Sequence, residues 1–135
     1  MADYERLEAA AGPSRGHCPE MGTASTMATI VEGLGMTLPG AAAVPAMDSR
    51  RLQVAEEVGA RAVGLAAEGV RPSHVLTAEA FDNAITLMLA VGGSTNAIVH
   101  LLAIAGRAGV PLTLDRFHEL SARTPLMVNV RPAGE

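Results

Sequence analysis

Residues 76–110 read LTAEAFDNAITLMLAVGGSTNAIVHLLAIAGRAGV, and they predict two amphipathic helices joined by a glycine turn. Thr77 stands as the N-cap of the first, where Phe81, Ala84, Ile85, Met88 and Leu89 recur at the spacing that puts them on one helical face. Gly92-Gly93 stops that helix. Ser94 caps the next, whose stripe is Ala97, Ile98, Leu101, Leu102 and Ala105 and whose end is Gly109. Two apolar stripes this close in sequence need covering, so this stretch predicts the centre of a helical layer.

The same patterns recur on either side of this stretch. Upstream, Asp48 or Ser49 caps a helix whose stripe is Leu52, Ala55, Val58, Ala62 and Leu65, with Gly69 as its stop and Arg71-Pro72 as a break. Further upstream, Met27, Ile30, Val31 and Leu34 mark a helix starting at Thr23 and ended by Gly33 and Gly35. Between these two, residues 36–47 hold Pro39, Gly40 and Pro45 and read as an ordered apolar loop. Residues 1–11 read as the tail of a helix, followed by a loop from Gly12 to Gly16. Downstream, Thr113 opens a short helix (Leu114, Phe117, Leu120) that Pro125 ends, and residues 126–130 alternate apolar and polar briefly enough to give a weak strand. The expectation is about five helices with one weak strand, and no internal repeat.

Composition limits the core and the partners. Hydrophobic residues make up 49% of the chain but aromatics only 2%, so burial falls to Ala, Val, Leu, Ile and Met. Each such side chain buries less area than an aromatic, and the 14 glycines let backbones approach closely. Marginal stability follows unless further neighbours cover the apolar faces. The net charge is −4, and the ten basic residues are arginines scattered along the chain, which is no nucleic-acid footprint. The lack of lysine excludes Schiff-base and lysine general-base chemistry within these residues. No stretch approaches the roughly 20 apolar residues of a membrane-spanning helix, and the acidic, polar start is unlike a signal peptide. A soluble, cytoplasmic protein that binds neither membrane nor nucleic acid is expected.

Two constellations carry possible chemistry. In the first, GHCPEMGTASTM (16–27), the single cysteine Cys18 lies in a loop that feeds a helix start. Backbone amides and the positive end of a helix dipole favour a thiolate, the form that binds iron. With one cysteine no internal disulfide forms, leaving Cys18 as buried filler, reactive thiol or metal ligand. His17 beside it reads as a packing residue, and His74, His100 and His118 fall on separate elements with no metal-site spacing. In the second, Gly92-Gly93-Ser94-Thr95-Asn96, glycines allow close backbone approach before a helix N-terminus that can hold an anion. The same residues also serve as ordinary stop and cap chemistry. Glu56-Glu57 read as a solvated face and Glu79 with Asp82 as a helix start, so the carboxylates form no acid–base dyad. Met21, Met27, Met36 and Met47 read as core filler.

Four ordered blocks, GHCPEMGTASTM (16–27), GLGMTLPGAAAVPA (33–46), residues 76–110 and LTLDRFHELSARTP (112–125), with a closing VRPAGE, resemble the dihydroxy-acid and sugar-acid dehydratases. This family includes the phosphogluconate, arabonate and xylonate enzymes. The resemblance implies a helix-rich piece of the family's N-terminal α/β domain, with residues 1–135 a single partial domain: 1–15 a helix tail and loop, 16–135 the family segment. It implies that Cys18 is one ligand of an iron-sulfur cluster, that Thr23 to Thr26 crowd that cluster, and that Thr23, Ser94, Thr95 and Asn96 border the substrate. Family members eliminate water from a 2,3-dihydroxy carboxylate to give a 2-keto acid, with iron as Lewis acid on the departing hydroxyl. The sequence around Gly22 is closer to the sugar-acid branch, where the branched-chain amino-acid branch often has an aromatic residue.

The other cluster cysteines, the Mg2+ ligands and the C-terminal barrel-like domain with its catalytic base have no counterpart in these 135 residues. Pro19 and Glu20 depart from the residues expected after the cysteine. The resemblance therefore implies a hydro-lyase fragment, inactive alone, whose full-length enzyme is a homo-oligomer acting on a small hydroxy acid. The competing expectation is a truncated product that serves as a helical interaction module of a full-length dehydratase.

Overall fold

The computed structural model describes residues 1–12, 14–132 and 134; Pro13 of the expected loop and two residues of the closing VRPAGE lie outside the described residues. In chain order its helices are α1 (Ala2–Ala11), α2 (Thr23–Gly33), α3 (Arg50–Glu68), α4 (Pro72–Val75), α5 (Ala78–Ala90), α6 (Asn96–Ala108) and α7 (Leu114–Ser121), with a single 3-10 turn at Ala41–Ala43.

The core is made where the sequence pattern was cleanest. Phe81, Ala84, Ile85 and Met88 of α5 pack with Ile30 and Leu34 of α2, with Ala97, Leu101 and Ala105 of α6, and with Phe117 and Leu120 of α7. The most extensive pairing is α2 against α5. It depends on Gly33, because a Cβ there would lie 2.9 Å from Leu87 Cδ1 and 3.0 Å from the Ala84 Cα. Alanines and one glycine at the crossing thus let two helices approach where aromatics are scarce.

The connection between α5 and α6 is a tight helix stop. Gly92 adopts φ +61°, and its N–H and that of Gly93 donate to Leu89 O at 3.1 Å and Met88 O at 2.8 Å. Left-handed backbone at this position is where glycine has no steric cost. At the start of α5, the Thr77 hydroxyl accepts the Ala80 N–H at 3.3 Å, the cap expected from sequence. The 36–47 loop is ordered as expected. Glu32 accepts the N–H groups of Gly40 at 2.6 Å and Ala42 at 3.0 Å, and Arg51 donates to the carbonyls of Ala41 and Val44.

Several expectations are corrected. No strand occurs among the described residues, so the described fold is all-helical and the α/β expectation is not met within them. Residues 126–130 find no neighbouring strand to pair with; Met127 N–H instead donates to Ala90 O at 2.8 Å, at the end of α5. Among the described residues there are seven helices rather than five, because residues 2–11 complete a helix of their own and Pro72 starts a single turn, the position where proline's missing N–H costs nothing. The α3 stripe forms as a helix face but stays uncovered: no α3 residue is buried, and Leu52 is 77% exposed. Met36 and Met47 are exposed rather than core filler. Among the described residues no helix is long and apolar enough to cross a membrane.

Candidate functional site

The N-termini of α2 and α6 meet at one cleft of about 450 Å³, lined by Gly22 and Thr23 on one side and Gly93, Ser94, Thr95 and Asn96 on the other. Packing of α2 against α5 brings them together, because the short α5–α6 turn delivers Ser94 back to the start of α2. Thr23 Oγ1 and Ser94 Oγ share a hydrogen bond at 3.0 Å. Asn96 Nδ2 donates to Thr23 Oγ1 at 3.1 Å, and the Asn96 N–H donates to Ser94 Oγ at 3.3 Å. Below them the Ser94 N–H donates to Thr26 Oγ1 at 3.0 Å.

The four residues expected from sequence to border a substrate, Thr23, Ser94, Thr95 and Asn96, therefore line one cavity, although 71 positions separate Thr23 from Ser94. Both hydroxyls accept from Asn96, and their mutual bond uses one hydroxyl hydrogen. The second hydroxyl hydrogen is left over for an acceptor in the cleft. Helix α6 starts at Asn96, so its N-cap is Thr95 rather than the expected Ser94; Ser94, one residue earlier, accepts the Asn96 N–H through Oγ. The amides of α6's first turn are spent on Ser94 and Thr95, so the start of α2 and the spare hydroxyl hydrogen are what suit an oxyanion or a hydroxyl-bearing ligand.

Cys18 stands on the loop before α2 and is exposed, which removes the buried-filler reading. It does not line the cleft; the lining begins at Glu20. His17 Nδ1 faces the Cys18 carbonyl oxygen at 3.0 Å, a local contact within the loop. His74, His100 and His118 are exposed on three different elements. Among the described residues no three His, Cys, Asp or Glu side chains come together as a metal set. One exposed thiol does not by itself fit a whole iron-sulfur cluster, whose irons take several thiolates.

Thr26, expected only as part of the 23–26 segment crowding the cluster, lies instead beneath the cleft, where it accepts from Ser94. Its threonine type and its place on the apolar side of α2 were the available signals, and its 0% exposure shows why it matters. Asp82 was also read too simply. Rather than only favouring a helix start, it accepts from Arg116 of α7, with Nε to Oδ1 at 2.8 Å, and Arg116 in turn bonds Glu119 at 2.7 Å. The guanidinium beside it holds the Asp82 carboxyl below its ordinary range. Partners 34 positions apart leave no local sequence signal.

Residues 1–135 match the family model described as dihydroxy-acid/6-phosphogluconate dehydratase, N-terminal. A dihydroxy-acid dehydratase of Sulfurisphaera tokodaii is 50% identical over 133 residues, covering 98% of this chain and 24% of that protein. One from Thermodesulfovibrio yellowstonii is 47% identical over 133 residues, and one from Saccharolobus solfataricus 48% identical over 132, with the same coverage. The chain thus spans about a quarter of the length of the curated relatives it matches.

Proposed function

Since the chain belongs to the dihydroxy-acid/6-phosphogluconate dehydratase family, we propose that it forms one wall of the active site of a hydro-lyase acting on a 2,3-dihydroxy carboxylate. The observation that carries this reading is the convergence of Thr23, Ser94 and Asn96 at the mouths of α2 and α6. The leftover hydroxyl hydrogen there, with the first-turn amides of α2, holds a carboxylate or hydroxyl of the substrate and fixes its orientation. Cys18, exposed at the entrance to α2, supplies one thiolate to an iron-sulfur cluster whose remaining ligands, like those of Mg2+, come from outside these residues. The catalytic base likewise belongs to another part of the active site.

Two features pull the substrate in different directions. The relatives are named for dihydroxy acids, whereas Gly22 leaves the cleft wall without the aromatic side chain of the branched-chain branch, which makes room for a longer sugar acid. A chimera tests both. With this chain replacing the matching segment of the Sulfurisphaera tokodaii relative, 2-keto acid formation is measured from dihydroxyisovalerate, arabonate and xylonate. Turnover of at least one supports the reading, and the preferred acid identifies the branch. A folded, cofactor-loaded chimera that turns over none contradicts it.

A second reading has one observation in its favour, the uncovered apolar face of α3. In it the chain is an inactive helical module that docks on a full-length dehydratase, and co-purification of the two would favour it.

A further inference from the structure

Thr26 is the one buried polar residue among the described residues, and it joins the two halves of the cleft from beneath. Its hydroxyl oxygen accepts the Ser94 N–H at 3.0 Å across 68 positions of sequence. Its methyl group does separate work. A Cβ at Gly93 would lie 2.7 Å from Thr26 Cγ2 and 3.0 Å from both Met88 Cγ and Met88 O, so the turn is seated between α2 and the end of α5 with no room to spare. Hydroxyl and methyl of one side chain thus fix both the height and the seat of the Gly93-Ser94 turn.

The consequence reaches the side chains above. Ser94 Oγ bonds Thr23 Oγ1, and Asn96 completes that cluster. A turn that drifts by half an ångström stretches a 3.0 Å bond toward the limit of hydrogen-bond geometry. Burial makes the Thr26 bond the restraint most protected from competing water, whereas the upper cluster is open to the cleft.

From this geometry we infer that Thr26 is a positioning residue for the cleft, acting through Ser94 without touching the substrate. This rests on the substrate-wall reading given above. Its hydroxyl keeps Ser94 Oγ and the first turn of α6 in register with Thr23, and its methyl excludes any side chain at position 93.

The test compares Thr26→Val, which keeps the shape and removes the hydroxyl, with Thr26→Ser, which keeps the hydroxyl. Amide hydrogen exchange of the 135-residue chain is read at Ser94 relative to Ile85 and Leu101. In Thr26→Val the relative protection of Ser94 falls about tenfold, the scale of one net hydrogen bond, and in Thr26→Ser it is retained. If Thr26→Val unfolds the chain while Thr26→Ser does not, the hydroxyl is again what matters. Unchanged Ser94 protection in Thr26→Val, or an equal loss in both variants, overturns the inference. The functional arm uses the chimera: Thr26→Val lowers kcat/KM, Thr26→Ser restores it, and Thr26→Val adds little on top of Ser94→Ala. Additive losses overturn action through Ser94. Altered exchange with no kinetic effect of either Thr26→Val or Ser94→Ala leaves the coupling standing and removes the substrate-wall reading instead.

Discussion

The hydroxyls of Thr23 and Ser94 lie 3.0 Å apart across 71 positions of sequence, and no local feature of either residue brings them there. What does is the close crossing of α2 and α5, which returns the α5–α6 turn to the start of α2. The stability of that crossing and the geometry of the cleft are therefore one problem.

The glycine at position 93 carries the first prediction. Gly93→Ala forces a methyl group against Thr26 and Met88, and overpacking of this kind costs about 1–3 kcal/mol. Gly59, in the interior of α3, has nothing within 4 Å of a Cβ, so Gly59→Ala raises stability by about 0.5–1 kcal/mol through helix propensity. Urea unfolding of the two variants checks the opposite signs.

Helix α3 is the least secured long element. It has no buried residue, and its Arg61–Glu68 pair is about half exposed at both ends, an arrangement that adds little. Its amides should exchange at least about tenfold faster than those of Ile85 and Leu101. Equal protection would mean that α3 is covered in solution.

Asp82 and Arg116 give a pH dependence with a definite sign. The guanidinium lowers the folded-state pKa of Asp82 from its ordinary value of 3.8. A carboxyl that ionises more readily when folded contributes stability that is fully present above the unfolded value. That contribution is lost as pH falls from there through the lowered folded value. Thermal unfolding of Asp82→Asn should therefore decline less steeply than that of the parent chain below about pH 4. Parallel acid limbs would show that the pair does not persist in solution.

How much was legible in sequence follows from where the determinants lie. Phe81, Ile85 and Met88 announced α5 because a 3.6-residue period is a local signal, and Thr77 announced its cap for the same reason. The α3 stripe looked equally good and is uncovered, since periodicity reports an amphipathic face but not what packs on it. Residues 126–130 looked like a strand, but a strand exists only with a partner, and these residues have none among those described. For the cleft, Thr23 and Ser94 were each legible as helix-start residues. Their bond, like that of Thr26 to Ser94, depends on the tertiary crossing. The Asp82–Arg116 pair was hidden for the same reason.

Exposure of Cys18 predicts its accessibility as a ligand. In the native chain one equivalent of a thiol reagent should react without denaturant, at a rate close to that of the unfolded chain. Slow labelling that speeds up on unfolding would show a protected thiol.

Iron and acid-labile sulfide content decides whether these residues supply one cofactor ligand and one wall of a dehydratase active site. The measurement is made on the Sulfurisphaera tokodaii chimera, with Cys18 and with Cys18→Ser, after anaerobic reconstitution. A full complement is expected with Cys18, and loss of most of the iron and sulfide together with 2-keto acid formation in Cys18→Ser. A Cys18→Ser chimera that keeps its iron, its sulfide and its turnover would contradict that role.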